Sequence, residues 1–368
     1  MPLLSKVTDN PIVKKDVQAI FDSLSNTEKD RLKGSVILIT GCGGFLGYYF
    51  MEFFYHFAAE LQLKKIIALD NFITGRKDWL EDLESSADGL IQVSNFNLIT
   101  GSLHEIADAH NADFIIHLAS IASPSYYRQY PIETVDANVT GLRSLLEFYK
   151  EKPIKGLLFF SSSEVYGDPH PDYIPTRETY RGNVATFGPR ACYDEAKRFG
   201  ETLCYLFSQK YNLPITIVRP FNNYGPGMGI QDKRLPADFA KAVLAGQDLV
   251  LFSDGTPTRT FCYVADAIVG YLKALVHGKF DVFNIGLDKP EISVTEFAEI
   301  FSKVAAEVLD YKGKLQKQAP PDTEYLTDNP ARRCPNIDKA RTILNFHPTI
   351  TVEEGIASYL RFLHYNHQ

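Results

Sequence analysis

The sequence has few of the residues that would indicate a disulfide-bonded or metal-binding protein. It contains five cysteines among 368 residues, and their odd number and wide spacing argue against a disulfide framework and against a zinc site. The nine histidines show no ligand spacing within a helix, so we expect no metal ion.

Long apolar runs are also missing. Residues 1–33 are polar and charged with only short apolar pieces, unlike a signal peptide, and no later stretch is long enough to span a bilayer. We therefore expect a cytoplasmic protein without a membrane partner. Lysine and arginine are scattered rather than clustered, and the net charge is -7 with a pI of about 5.8, so nucleic acid is not an expected partner.

Apolar segments alternate with helical patterns over the first two thirds of the chain. Strands rich in Ile, Leu, Val and Phe, without polar alternation, are predicted at 36–40, 66–70, 91–93, 114–118, 157–161 and 215–219. Strands of this composition are buried on both faces. Helices are predicted between them at 45–61, 132–151 and 192–211. The pattern predicts an α/β fold, a doubly wound parallel sheet of Rossmann type, with ligands beyond the carboxyl ends of its strands.

The pattern changes after Pro220. Helices are predicted at 235–245, 264–276, 295–309 and 352–363, and short strands at 250–252, 260–263 and 282–285, the last returning to the main sheet. A long polar loop is predicted at 311–333. The chain then divides into an N-terminal extension (1–33, with an amphipathic helix over 16–33), a dinucleotide-binding domain (34–220) and a mainly substrate-binding lobe (221–368), with segments crossing back to the sheet.

A glycine-spaced turn follows the first predicted strand. Gly41, Gly44 and Gly47 permit a tight turn and the close approach of a pyrophosphate to a helix N-terminus. Asp70, at the end of the second strand, is placed to accept hydrogen bonds from an adenosine ribose and would repel a 2′-phosphate. Together these residues predict NAD rather than NADP as the cofactor.

Tyr193 and Lys197 lie one helical turn apart on the same face of a predicted helix. A phenol with a pKa of about 10 is a poor base at neutral pH. A nearby ammonium and the positive nicotinamide of NAD+ would stabilise the phenolate and lower that pKa. The phenolate could then take a proton from a substrate hydroxyl while a hydride leaves the same carbon.

A polar segment, Ser161-Ser162-Ser163-Glu164, follows the fifth strand at the sheet edge where chemistry is expected. A hydroxyl there can bond to the reacting oxygen, and Glu164 can act as an acid or base on a neighbouring carbon. The alternative for Glu164 is a structural ion pair.

These motifs together resemble the extended short-chain dehydrogenase/reductases that modify nucleotide sugars. The resemblance extends from Ser35 to about Leu363 and rests on segments 40–47, 70–72, 117–120 and 219–226, on Asn138, and on Tyr193 with Lys197. Within that group, segments 70–77, 163–169, 188–195 and 258–264 are most similar to the UDP-glucuronate decarboxylases (UDP-xylose synthases).

The resemblance implies an NAD-dependent lyase that converts UDP-glucuronate to UDP-xylose through a 4-keto intermediate. In the implied cycle, Tyr193 deprotonates the sugar 4-hydroxyl with help from Lys197 and Ser162. The resulting β-keto acid loses carbon dioxide, and the ketone is then reduced. The catalytic residues implied are Tyr193, Lys197, Ser162, Ser163, Glu164 and Arg259. A homodimer is also implied, in which helices 132–151 and 192–211 form the interface.

The resemblance also assigns binding residues. Those implied to contact NAD are Gly41, Gly44, Phe45, Leu46, Gly47, Asp70, Asn71, Gly75, Arg76, Leu118, Ala119, Ser120, Asn138, Ser161, Tyr193, Lys197 and Arg219. Those implied to contact the nucleotide-diphosphate sugar are Ser123, Tyr127, Arg128, Glu164, Asn222, Gln231, Arg234, Arg259 and Arg332, with Arg333 as the alternative to its neighbour.

Four positions depart from the decarboxylase pattern. Ile121 replaces a proline, Arg128 is an addition, Arg181 stands where tryptophan is usual, and Asn97 replaces an adenine-binding aspartate. The first three are expected near the sugar pocket, where Arg128 would either bind a sugar carboxylate or face solvent.

Three other functions remain open. A nucleotide-sugar 4,6-dehydratase would share the oxidation and then expel water, although glucose-type dehydratases have Asp where this chain has Ser163. A 4-epimerase would leave Glu164 idle. A noncatalytic NAD-binding regulatory protein is disfavoured by the presence of Ser162, Tyr193 and Lys197 together.

Overall fold

The computed structural model describes residues 10–319, 327 and 329–367. The strands that it describes are short and lie between residues 36 and 333. They are β1 (Val36–Thr40), β2 (Lys65–Asp70), β3 (Ile91–Asn95), β4 (Phe114–His117), β5 (Gly156–Phe160), β6 (Ile215–Pro220), β7 (Asn223–Tyr224), β8 (Leu249–Leu251), β9 (Thr258–Arg259), β10 (Cys262–Tyr263), β11 (Asp281–Ile285), β12 (Ile292–Ser293), β13 (Leu315–Lys317) and β14 (Arg332–Arg333).

Helices separate most of these strands. They are α1 (Pro11–Asp22), α2 (Asn26–Leu32), α3 (Phe45–His56), α4 (Asp78–Ser85), α5 (Pro124–Gln129), α6 (Pro131–Asp136), α7 (Leu142–Tyr149), α8 (Ala191–Tyr211), α9 (Leu235–Leu244), α10 (Val264–Leu275), α11 (Val294–Leu309), α12 (Asp338–Leu344) and α13 (Val352–His367). A π-helical segment, Ala137–Gly141, joins α6 to α7.

Seven strands form one sheet in the order β11-β6-β5-β4-β1-β2-β3, and every neighbouring pair is parallel. This confirms the predicted doubly wound sheet, including the return of the segment around 282–285. Because the strands are parallel, their carboxyl ends meet at one edge, and the order reverses beside β1. The structure therefore places the glycine turn after β1 and the serine-rich segment after β5 at the same edge.

The sheet is covered on both faces. In β1, Ile37 and Ile39 enter one core with α3 and α10, while Val36 and Leu38 enter the other with α7 and α8. Successive side chains of a strand point to opposite faces, so an all-apolar strand requires two cores. This is the physical reason why the predicted strands show no polar alternation.

Several element bounds differ from the predictions. The helix predicted over 16–33 is two helices, because Ser25 caps α2 in a reciprocal arrangement with Glu28. The helix predicted over 132–151 is interrupted by the π-helical segment. Of the predicted strand 260–263, only β10 is a strand, and β9 lies just before the predicted range. The predicted loop 311–333 contains β13 and β14, and its residues 320–326 and 328 lie outside the described part.

The described part of the N-terminal extension packs into the core of the sheet. Val13, Val17 and Ile20 of α1 are buried with α3 and α10. The Asp16 carboxylate oxygen Oδ2 accepts hydrogen bonds from Tyr49 of α3 at 2.7 Å and from Tyr263 of β10 at 2.5 Å. One carboxylate thus joins the extension to both halves of the molecule. Across the described residues, no helix combines the length and apolarity needed to cross a membrane.

Replacing Asp16 with Asn is expected to stabilise the protein at pH 7.5. Burial raises the pKa of Asp16 from 3.8 to about 6, so its ionised form costs the folded state about 3 kcal/mol. The folded state binds this proton more tightly than the unfolded state, and stability falls as pH rises from about 4 to about 6. An amide oxygen can still accept from both tyrosines. Denaturant midpoints should show a gain for the variant at pH 7.5 that shrinks towards pH 4.

Asp16→Leu is the contrasting variant. It removes the acceptor that the buried hydroxyls of Tyr49 and Tyr263 share, and the loss of a hydrogen bond by a buried hydroxyl costs about 1–3 kcal/mol. It should be less stable than the Asn variant at every pH. An Asn variant less stable than wild type at pH 7.5 would show that the charge, and not the hydrogen bonds, holds α1 in place.

Candidate active site

A cavity of about 840 Å³ opens at the carboxyl edge of the main sheet. Its walls come from the turn before α3, the segments after β2, β4 and β5, the start of α8 and the loop before α9. Most of the residues proposed from the sequence line it. These are Gly41, Gly44, Phe45, Leu46, Gly47, Asp70, Asn71, Gly75, Arg76, Leu118, Ala119, Ser120, Ser123, Tyr127, Arg128, Ser161, Ser162, Ser163, Glu164, Tyr193, Lys197, Asn222, Gln231, Arg234 and Arg259.

The glycine turn is packed too tightly for side chains. Gly41 has a φ of +74°, and an added Cβ would lie 2.6 Å from the backbone nitrogen of Ala119. At Gly47, an added Cβ would lie 2.3 Å from the carbonyl oxygen of Cys42. These two glycines let the turn pack against the end of β4 and let α3 pack against the turn.

The geometry at the start of α3 fits a dinucleotide. Gly44 caps the helix without a side-chain hydrogen bond, so the first N–H groups of α3 open onto the cavity, as a pyrophosphate requires. Asp70 accepts hydrogen bonds from the backbone nitrogens of Gly43 at 2.9 Å and Phe72 at 2.7 Å. Burial raises the pKa of Asp70, although these two hydrogen bonds act against the rise. Each carboxylate oxygen keeps a lone pair for a ribose hydroxyl.

Tyr193 and Lys197 lie together in α8, and both are buried. The ammonium is 5.7 Å from the centre of the Tyr193 ring, and its Nζ donates to the carbonyl oxygen of Phe160 at 2.7 Å. Burial raises the pKa of Tyr193 to about 12, and a hydrogen bond with Ser162 acts against this rise. Burial lowers the pKa of Lys197 to about 7. In the structure, burial therefore outweighs the lowering that the sequence argument expected from Lys197.

Glu164 is held by arginines on two sides. It forms a short ion pair with Arg190, and Arg333 Nη2 lies 2.8 Å from its carboxylate. The Glu164 side chain is 13% exposed. Burial alone would raise the pKa of Glu164, but Arg190, Arg333 and Arg259 together hold this pKa below its usual range. Glu164 is therefore an ionised acceptor at neutral pH, within two residues of Ser162.

Arg259 is a buried cation held by neutral oxygens. Its guanidinium donates to the carbonyl oxygens of Thr258, Pro330 and Ala331, at 2.7, 2.5 and 3.2 Å. Burial, with Arg333 close by, lowers the pKa of Arg259 to about 9. A guanidinium that is fixed in this way and faces the cavity suits an anionic group of a ligand.

Two residues assigned to the cofactor lie away from the cavity. Arg219 forms a bidentate ion pair with Glu201, at 2.8 and 2.6 Å, and also donates to the Tyr166 hydroxyl at 2.7 Å. Asn138 lies in the π-helical segment, and its Nδ2 donates to the carbonyl oxygen of Thr134 at 2.8 Å. Neither side chain lines the cavity, so contact of Arg219 or Asn138 with NAD stays a prediction.

The two adjacent arginines of β14 point in opposite directions. Arg332 forms a bidentate pair with Glu291, at 2.9 and 2.7 Å, and does not line the cavity. Arg333 lines the cavity and contacts Glu164. Neighbouring residues of a strand face opposite sides, so only one of the two can reach the site. The assignment of Arg332 is replaced by Arg333.

Three of the four positions that depart from the decarboxylase pattern line the cavity. They are Ile121, Arg128 and Asn97. Arg128 Nε donates to the carbonyl oxygen of Pro124 at 3.2 Å. Arg181 is exposed and does not line it, so the expectation that Arg181 lies near the sugar pocket is not supported.

Two loops meet across the mouth of the cavity. The Ser123 hydroxyl donates to the carbonyl oxygen of Asp232 at 2.6 Å. Arg234 pairs with Asp232 and lies over the Phe45 ring at 5.5 Å. The loop that carries Gln231 and Arg234 is thus fastened both to the segment after β4 and to the start of α3.

Sequence reasoning missed Arg190 as a site residue. It stands directly before α8, three residues ahead of Tyr193, and its side chain reaches Glu164. A signal was present, because a buried carboxylate in a cleft requires a cationic partner, and Arg190 lies beside a motif already assigned to the site.

Comparison with known proteins gives a family match. The model of the NAD dependent epimerase/dehydratase family matches residues 37–286. UDP-glucuronic acid decarboxylase 1 of Danio rerio is 34% identical over 340 residues, which are 91% of this chain and 73% of that protein. UDP-glucuronic acid decarboxylase 6 of Arabidopsis thaliana is 34% identical over 322 residues, 87% of this chain and 86% of that protein.

Solved structures share the fold. A UDP-glucose 4-epimerase from Thermotoga maritima with UDP-glucose has a TM-score of 0.75 at 23% identity, covering 90% of this chain and 100% of that one. A dTDP-glucose 4,6-dehydratase from Streptomyces venezuelae with NAD bound has a TM-score of 0.76 at 21% identity, covering 90% and 97%. At these identities the likeness supports the architecture alone.

Proposed function

This chain belongs to the NAD-dependent epimerase/dehydratase family, and we propose that it is a lyase that converts UDP-glucuronate to UDP-xylose and carbon dioxide through a 4-keto sugar. The observation that supports this reaction is the 34% identity to UDP-glucuronic acid decarboxylases over most of the chain. The site agrees with it, because Arg190, Arg259 and Arg333 all act on Glu164 in the cavity. Guanidinium groups suit the anionic groups of UDP-glucuronate.

NAD is the cofactor, and the residues around the glycine turn fit it. We propose that the N-terminus of α3 holds the pyrophosphate and that Asp70 holds the adenosine ribose, with Asn71, Gly75 and Arg76 beside them in the cavity wall. When bound, NAD+ supplies a hydride acceptor at the sugar C4 and a positive charge beside the Tyr193 phenol.

Tyr193, with Ser162 and Lys197 beside it, transfers the proton of the sugar 4-hydroxyl. Tyr193 accepts this proton when C4 is oxidised and returns it when the ketone is reduced. Ser162, which is hydrogen-bonded to Tyr193, orients the same oxygen. Lys197 holds its ammonium beside the ring and stabilises the phenolate.

Loss of carbon dioxide follows at the neighbouring carbon. The C5–carboxylate bond breaks, and its electron pair moves onto the C4 oxygen as an enolate, which accepts hydrogen bonds from Ser162 and protonated Tyr193. A proton taken up from solvent and relayed by Glu164 then adds at C5. Ser163 and Glu164 line the cavity next to Ser162, where they also orient the ring. Arg259 and Arg333 balance the charge of the sugar carboxylate until it leaves as neutral carbon dioxide.

The remaining cavity wall holds the rest of the substrate. We assign the diphosphate to Arg259 with Asn222, whose Nδ2 donates to the carbonyl oxygen of Thr260 at 2.8 Å. Gln231 and Arg234 border the diphosphate from the loop before α9, which Ser123 and Phe45 hold in place. Ser123, Tyr127 and Arg128 border the sugar from the segment after β4.

One experiment separates this reaction from its alternatives. The purified protein is incubated with NAD+ and a panel of UDP-, dTDP-, GDP- and CDP-sugars, and product masses are measured. Decarboxylation of UDP-glucuronate removes about 44 mass units, dehydration about 18, and epimerisation none. A protein that leaves UDP-glucuronate unchanged and dehydrates an uncharged sugar would refute the decarboxylase assignment.

We also propose a homodimer built on α6 and α8, which pack against each other. Their outer faces carry large apolar side chains, with Ile132 69%, Phe199 50% and Leu206 53% exposed. Apolar residues in such a patch favour an interface. Leu206→Asp should convert a dimer to a monomer in light scattering, whereas Asp at the exposed Ile343 of α12 should leave the mass unchanged. A wild-type monomer would refute this interface.

A further inference from the structure

Arg190 is fixed by contacts from three parts of the chain. It pairs with Glu164 from the segment after β5, its Nε lies 3.7 Å from Asp194 in α8, and its guanidinium carbon lies 6.0 Å from the centre of the Tyr127 ring in α5. Its side chain is 12% exposed. A long side chain held on three sides has lost most of its freedom to move. Arg190 can therefore fix the positions of the groups that it touches.

Arg190 and the phenol of the site belong to the same helical turn. The backbone nitrogens of Tyr193 and Asp194 donate to the carbonyl oxygen of Arg190, at 2.9 and 3.0 Å. The rings of Tyr127 and Tyr193 are stacked, with centres 5.2 Å apart and planes at 13°. Arg190 and Tyr193 are therefore held at a constant distance, and the ion pair extends this constraint to Glu164.

We propose that Arg190 is a positioning residue that holds Glu164, in its ionised form, at a fixed place relative to Tyr193. The proposal rests on the proposed function in one respect, since it matters to the reaction only if Glu164 acts on the carbon next to the one that Tyr193 serves. Glu164 follows β5 whereas Tyr193 lies in the first turn of α8. Arg198 of α8 links the two backbones by donating to the carbonyl oxygen of Val165 at 2.8 Å, and the ion pair extends this link to the Glu164 carboxylate.

Several charged and titratable groups face Glu164. Those that act on its carboxylate are Arg190, Arg333 of β14 and Arg259 of β9. The carboxylate in turn acts on Tyr193 and Tyr127, and Asp194 pairs with Arg190. Loss of Arg190 would leave two cations for this carboxylate but would free it from α8. An opposite charge in contact lowers a carboxyl pKa by about 1–3, so its removal should raise the pKa of Glu164 by a comparable amount.

The test compares Arg190→Met with Arg190→Lys. For the Met variant we expect the acidic limb of the pH profile of turnover to move to higher pH by about one unit or more, with turnover at pH 7.5 lowered at least ~10-fold and KM for NAD+ unchanged. Arg190→Lys retains the charge and should bring the acidic limb back to the wild-type position. An acidic limb that stays in place in Arg190→Met would overturn the proposal.

A double-mutant cycle gives a second readout. If Arg190 acts through Glu164, adding Arg190→Met to Glu164→Gln should cause no further loss beyond that of Glu164→Gln alone. Losses that multiply would overturn the proposal. Both measurements are made on whichever nucleotide sugar the wild type turns over, so a failure with UDP-glucuronate refutes the decarboxylase assignment separately from the role of Arg190.

Discussion

Replacing Tyr193 with Phe is expected to reduce turnover by about 10²–10⁴-fold while leaving NAD+ affinity within about twofold of wild type. The change removes one oxygen from a buried side chain that lines the cavity beside Ser162. The ring remains, so its stacking on Tyr127 is retained. What is lost is the group that can take and return the proton of the sugar 4-hydroxyl. Product formation by mass spectrometry and NAD+ binding by calorimetry measure the two effects.

Tyr211→Phe is the matched control, since Tyr211 ends the same helix far from the cavity. It should turn over substrate normally. A Tyr193→Phe variant that consumes nucleotide sugar at the normal rate would show that another group is the base. The high pKa of Tyr193, about 12, also implies that the phenolate forms only with a positive charge close by, so the alkaline limb of the wild-type profile should report a cofactor-dependent pKa.

The sheet and its functional edge could be predicted from the sequence because they depend on local patterns. An apolar strand without alternation is buried on both faces, and a parallel sheet brings the ends of its strands together. The glycine turn after β1 and the serines after β5 therefore lie in one cavity, as the order of the elements required. Tyr193 and Lys197 line the same cavity because both lie in the first turns of one long helix.

The direction of individual long side chains could not be predicted in this way. Arg332 and Arg333 are adjacent and chemically identical, and the pairing of β14 with β9 decides which of them faces Glu164. That pairing joins segments more than 70 residues apart. Arg219 was assigned to the cofactor from a motif, yet the facing helix offers Glu201 at 2.6 Å. The partner of a guanidinium is a tertiary property, and only the assembled sheet fixes it.

Replacing Glu164 with Gln is expected to separate the two stages of the reaction. Oxidation at C4 should survive, because Tyr193, Lys197 and Ser162 are unchanged, whereas loss of carbon dioxide should slow by about 10²–10⁴-fold. The amide removes a negative charge that Arg190 and Arg333 contact directly. Arg333 then lacks this ion-pair partner, and Arg190 keeps only Asp194. Absorbance at 340 nm, which reports reduced nicotinamide, should therefore rise on addition of UDP-glucuronate while the product with the lower mass fails to appear.

The matched control is Glu195→Gln, which removes an exposed carboxylate near the start of α8 and should behave as wild type. Equal loss of both stages in Glu164→Gln would mean that Glu164 serves only as the structural partner of two arginines. The two roles differ in a measurable way because a purely structural pair would distort the start of α8, and with it Tyr193, whereas a group that acts after oxidation leaves the first hydride transfer intact. Accumulation of reduced cofactor would therefore show that the Glu164 carboxylate takes part in the reaction, and its absence would show that the carboxylate only holds the structure.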